Sequence, residues 1–125
     1  MKKIIIALAL AACSSVTIAA TSELAVCTAT TPVNVPGTQD GTLFVRTTFA
    51  PTCSVNSIVV VNDDAIKVWA TGASIKGQSI FGGSTNGGTV GNMGPCNAGK
   101  ACGTAADTTT AVKTKTAAAA LLGST

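Results

Sequence analysis

The sequence predicts a small all-β domain: a disulfide-stapled antiparallel sandwich or partial barrel with glycine-rich loops. Three observations lead there. Short alternating or β-branched stretches are separated by clusters of Gly, Pro, Asn and Asp, the spacing of a many-stranded antiparallel fold. The 125-residue chain carries five cysteines, four of them beyond residue 20. An even number in a small domain reads as a disulfide framework, because so short a chain cannot rely on area burial alone. Ten of the thirteen glycines lie between Gly72 and Gly103, a density that allows only short strands joined by tight turns or bulges.

The chain opens MKKIIIALALAACSSVTIAA, two lysines, an apolar run from Ile4 to Ala12, then small residues to Ala20. That order is a bacterial secretory signal, so residues 1–20 are expected to be cleaved and residues 21–125 to form a single β domain. The apolar run is about half the length that a membrane-spanning helix needs. Cleavage after Ala20 removes Cys13 and leaves Thr21 at the N-terminus. In the competing reading Leu10-Ala11-Ala12-Cys13-Ser14 is a lipobox, Cys13 is lipidated, and the protein is tethered as a lipoprotein. Membrane association is expected only in that case. Either way Cys27, Cys53, Cys96 and Cys102 remain. Four cysteines allow three connectivities; loop geometry favours Cys27–Cys53 with Cys96–Cys102, whose ring encloses five residues.

TSELAVCTATT, residues 21–31, alternates Leu24 and Val26 with Ala25 and Cys27, a short strand. PVNVPGTQDG then reads as a loop. TLFVRTTF sets Leu43, Val45, Thr47 and Phe49 against Phe44, Arg46 and Thr48, an amphipathic strand over 42–49. Ile58 to Val61 is a β-branched run suited to burial. Asn62-Asp63-Asp64 supplies a turn, and a returning strand follows with Ile66 and Val68 opposite Lys67 and Trp69. The glycine-rich segment reads as a flexible linker or as short strands, and Ile75, Ile80, Phe81, Val90 and Met93 argue that parts of it pack down. Thr108 to Thr116 alternates as a strand, with Val112, Thr114 and Thr116 opposite Lys113 and Lys115. The 117–125 tail starts as a turn or two of helix or an extended apolar segment, too short to hold a helix unless it packs.

Several function classes find no support. Without Lys2 and Lys3 the chain holds six basic and five acidic residues, a net charge of +1 and no basic face for nucleic acid. GPCNAGKACG, Gly94 to Gly103, spells G-x-x-x-x-G-K and then places Ala101 where a phosphate loop needs Ser or Thr. With Thr-rich sequence after Gly103 expected to form strand, it reads as a disulfide-closed turn, and no nucleotide is expected. There is no histidine to activate a thiol or act as a general base. Glu23, Asp40, Asp63, Asp64 and Asp107 are scattered or at turns, so no catalytic residue, cofactor or metal ligand is assigned and no enzyme is expected. Trp69, the only tryptophan, reads as a core or half-buried strand residue or as an adhesive contact.

Phe49-Ala50-Pro51-Thr52-Cys53-Ser54-Val55, within Asp40 to Ser57, resembles the opening strand of secreted bacterial pilin and spore-coat-U-type β-sandwich subunits. The resemblance implies an incomplete sandwich completed by a neighbour's N-terminal segment, with Thr21 to Thr31 as the candidate donor and Leu24 and Val26 as its plugs; the alternative is that this segment pairs within its own domain. The expectation is therefore an exported structural protein of the cell surface, a self-associating pilus- or filament-type subunit that forms homo-oligomers by strand addition. The alternative is a monomeric periplasmic or outer-membrane lipid-anchored binding module.

Overall fold

The computed structural model describes residues 22–87, 89–97 and 100–122. The expected signal segment and Cys13 lie outside the described residues. The fold is mixed α/β, an open six-stranded antiparallel sheet with a C-terminal helix packed on it, which overturns the expected all-β, pilin-like sandwich or barrel. The elements are β1 (Ser22–Thr28), β2 (Thr31–Pro32), β3 (Ser57–Asp63), β4 (Val68–Ser74), β5 (Ser79–Ser84), β6 (Gly91–Pro95) and α1 (Ala105–Leu122). The sheet order is β2-β1-β3-β4-β5-β6, a meander from β3 onward whose tight connections need no crossover.

The helix replaces the strand expected at 108–116. Thr108, Val112 and Thr116 are fully buried and Ala119 nearly so. Steps of four residues satisfy a two-residue strand period as well as a 3.6-residue helical one; Thr114, exposed, breaks the tie in favour of helix. Threonine is a poor helix former because its hydroxyl competes for backbone partners. Here the hydroxyls of Thr108, Thr109, Thr110, Thr114 and Thr116 donate instead to carbonyls four residues back. The alanine-rich stretch beyond Thr116 has high helix propensity and extends the same element. Thr104 caps the start. Its Oγ1 accepts from the Asp107 amide at 3.3 Å and donates to Asp107 Oδ2 at 2.7 Å, a reciprocal cap that satisfies an orphan amide.

Under the helix, the register aligns Ala25, Val60, Thr71 and Gly82 in one row and Ile58, Ala73 and Ile80 in the next. Ile58, Val60, Ile80 and Val112 form the core there, with Met93, Ala111 and Cys96 packed around them. The Thr71 and Thr116 hydroxyls bond to each other across the helix–sheet contact. Gly82 has to be glycine: a Cβ there would collide with Met93 and Thr71.

The hairpin β3–β4 forms with its turn displaced from the expected Asn62-Asp63-Asp64. Asn62 and Asp63 are buried strand residues, and the turn runs over residues 64–67. Asp64 Oδ1 accepts the amides of Ile66 and Lys67 at 2.8 and 2.9 Å, leaving Ile66 exposed at the tip.

TLFVRTTF is not a regular strand either. Residues 33–56 form a strap across the outer part of the sheet's second face, touching itself through an isolated Val35–Phe49 bridge. Two of its amides find a side chain instead of a ladder: the Asp63 carboxylate accepts Phe44 N–H at 2.9 Å and Val45 N–H at 3.2 Å. The strap buries Val35 and Leu43, and Val35 joins Val26 and Val61 in a second core with Leu24, Val45, Val59 and Val68 around it. A disulfide between Cys27 in β1 and Cys53 ties the strap's end to the sheet. The segment that carries the pilin resemblance is thus a covering strap rather than an opening strand.

Candidate functional site

Among the described residues, the remaining sequence-assigned positions fall into three places. Leu24 and Val26 sit in β1, which pairs with β3 and β2 of its own sheet, and Val26 is buried there. Cys96 and Cys102 are bonded to each other in the connection from β6 to α1. That ring docks on the rest of the fold: Cys102 is buried, and its amide donates to the Gly77 carbonyl at 2.7 Å. The carboxylates are dispersed, and among the described residues no group of three or more His, Cys, Asp or Glu is placed to hold a metal ion.

The phosphate-loop resemblance has more structural context than the sequence implied, since a strand precedes GPCNAGKACG and a helix follows it. The correction does not make a nucleotide site. β6 is an edge strand, and the ring is closed by the disulfide and by the Asn97–Lys100 bridge. Asp107 occupies the positive end of α1 with its own carboxylate, and that negative charge opposes a phosphate where a helix terminus would otherwise attract one.

Trp69 lies on the helix side of the sheet by its alternation with Thr71 and Ala73. The Lys67 ammonium stands 5.9 Å from its ring centroid. Its indole N–H is buried with no hydrogen-bond partner among the described residues.

The surface that no sequence motif marked is the second face of β4 and β5, beyond the reach of the strap. Strand alternation brings Ser57 and Val59 of β3, Ala70, Gly72 and Ser74 of β4, and Ser79, Phe81 and Gly83 of β5 to this side. The register sets Val59, Gly72 and Phe81 side by side. Gly72 has no side chain, so a hollow lies between a β-branched wall and an aromatic one. A groove of about 550 Å³ runs there, rimmed by Ser57, Ser74, Gln78 and Ser79. A smaller hollow of about 240 Å³ lies beside it at Ala70, Gly83 and Val90. Phe81 is 50% exposed and Val90 75%. Neither hollow is lined by a charged residue; Lys76 is exposed in the β4–β5 turn, between the lining residues Ser74 and Gly77.

A signal for this face was present in the sequence. Antiparallel sheets with one solvated face usually alternate apolar and polar residues, yet Lys76 is the only charged residue from Val68 to Gly99. Both strands of the hairpin therefore lack the charges that a solvent face ordinarily carries.

No helix among the described residues is long and apolar enough to cross a membrane. No protein-family model, curated protein or solved structure matches the chain.

Proposed function

We propose that the mature chain is an exported structural domain of the cell surface that associates with copies of itself. The observation that carries this reading is the open, apolar, charge-free half of the sheet around Phe81. Monomeric domains rarely leave a contiguous apolar patch uncovered without a partner for it. Two disulfides in so short a chain favour an oxidising compartment, which supports export.

The sheet edges are poor places for self-association. β2 has two residues and ends in Pro32, and β6 ends in Pro95 with Lys115 against Gly94. Short edges, proline and lysine are the devices that discourage edge-to-edge pairing. The face is the better interface.

The test is sedimentation of the oxidised mature chain across a wide concentration range, with surface labelling of intact cells. Concentration-dependent association and surface exposure are the expected results. A strict monomer confined within the cell would overturn the reading.

The volume of the groove favours one second reading, a monomeric periplasmic or lipid-anchored binding module. About 550 Å³ lies within the usual range for a small-ligand site, and the serine rim could orient a ligand with an apolar body and a polar end. Saturable small-molecule binding by a persistent monomer would favour it.

A further inference from the structure

We infer that two copies of this chain pair face to face across β4 and β5, each placing Phe81 in the hollow over the partner copy's Gly72. The inference rests on the proposed self-association and names its surface and geometry.

Gly72 faces Phe81, and Ala70 faces Gly83, across the β4–β5 ladder. A projecting ring therefore stands directly beside a position with no side chain, and the next pair along is small on both strands. A two-fold axis lying between the copies and running along the strands, midway between β4 and β5, exchanges the two strands. Each β4 residue then lies over the β5 residue that it faces in its own sheet. Phe81 of one copy meets Gly72 of the other, and Gly83 meets Ala70. Knob and hollow are both on one patch, which is what an isologous contact requires. Val59 walls the far side of the hollow, its Cγ2 about as near to Gly72 as an added methyl could tolerate.

Charge argues for a second copy over other occupants. An isologous contact sets a patch against itself, so any charge near the axis meets its own sign. The residues lining both hollows carry none; the one charge on that line, Lys76, is exposed in the β4–β5 turn, beyond the Gly72–Phe81 pair. A charged partner would find no complement here. A small ligand would find polar groups only at the rim, the serine hydroxyls and the Gln78 amide, and no buried polar side chain in the hollow itself. The rest of the described chain does not cover the patch: α1 lies on the other face, and the strap packs near β1 and β3.

The test uses the oxidised mature chain and three variants in sedimentation equilibrium. Phe81→Ser removes the knob from a half-exposed position. Ala70→Lys and Ala70→Glu put a charge on an exposed residue whose two copies lie side by side near the proposed axis. The melting temperature of each variant checks that the monomer fold is retained. The wild-type chain is expected to dimerise, and Phe81→Ser to weaken its dimer at least about tenfold, as loss of a central aromatic anchor does. Ala70→Lys alone and Ala70→Glu alone are expected to stay monomeric, while their equimolar mixture regains a dimer. Association that all three variants leave unchanged would overturn this pairing and leave self-association standing. A wild-type chain that stays monomeric throughout would overturn both.

Discussion

At the scale of single residues, two aspartates do work that their positions in the sequence conceal. Asp63, 4% exposed, holds the strap by accepting two backbone amides. Its replacement by Ala leaves both amides without their acceptor, and is expected to cost roughly 1.5–3 kcal/mol, the range for hydrogen bonds to a charged group. Asp63→Asn retains one acceptor oxygen and should cost less. Denaturant unfolding of the two variants measures the difference, and equal stability of all three proteins would remove Asp63 from the account. Asp40 is exposed, and hydrogen bonds from the Thr38 hydroxyl, then the Thr42 hydroxyl and amide, lower its pKa from 3.8 to about 2. A carboxylate whose folded pKa is depressed stabilises the fold above its unfolded value, and that contribution is lost as pH falls through the folded one. The hydrogen bonds that Thr38 and Thr42 donate to Asp40 should therefore hold at pH 4 and weaken towards pH 2. A carboxyl-carbon NMR titration of Asp40 checks this; a midpoint near the ordinary value would refute it.

At the scale of elements, the helix shows what the sequence could and could not convey. The β3–β4 hairpin was legible because Ile58 to Val61 is a β-branched run long enough to have only one good use. The helix was not, because Thr108, Val112 and Thr116 recur at a spacing common to both periods, and threonine's propensity points away from helix. Tertiary burial on Ile58, Val60 and Ile80 decided the matter. The strap was misread for a related reason. The alternation of TLFVRTTF buries Leu43 and half-buries Val45 but leaves Thr47 and Phe49 exposed, and a buried side chain, Asp63, took amides that a neighbouring strand would have held. The open face was signalled only by missing charges, a weaker cue than any motif. Thr110 and Thr114 are exposed on α1 and bond only to their own helix, so Thr110→Ala and Thr114→Ala should each raise stability by roughly 0.5 kcal/mol; thermal melts that fall instead would show that these hydroxyls hold something else. Loop-closure entropy ranks the disulfides: a separation of 26 residues for Cys27–Cys53 against 6 for Cys96–Cys102 corresponds to roughly 3.5 and 2 kcal/mol. Removing the first pair as a double serine variant should therefore lower stability more than removing the second. The reverse order in chemical denaturation would contradict that ranking.

At the scale of the whole molecule, one sheet is covered in two different ways. A helix seals one face, while a disulfide-tied strap seals only part of the other, and the remainder is apolar, uncharged and open. β1 is already paired within its own sheet, and both sheet edges are short or guarded, so the proposed association is assigned to the open face. Concentration-dependent NMR shifts of the isotopically labelled, oxidised mature chain test this most directly. On concentrating the protein, the account predicts changes confined to Val59, Ala70, Gly72, Phe81, Gly83 and Val90, with α1 and the strap unaffected. Shifts centred on α1 or on the strap, or a spectrum that does not change with concentration, would contradict it.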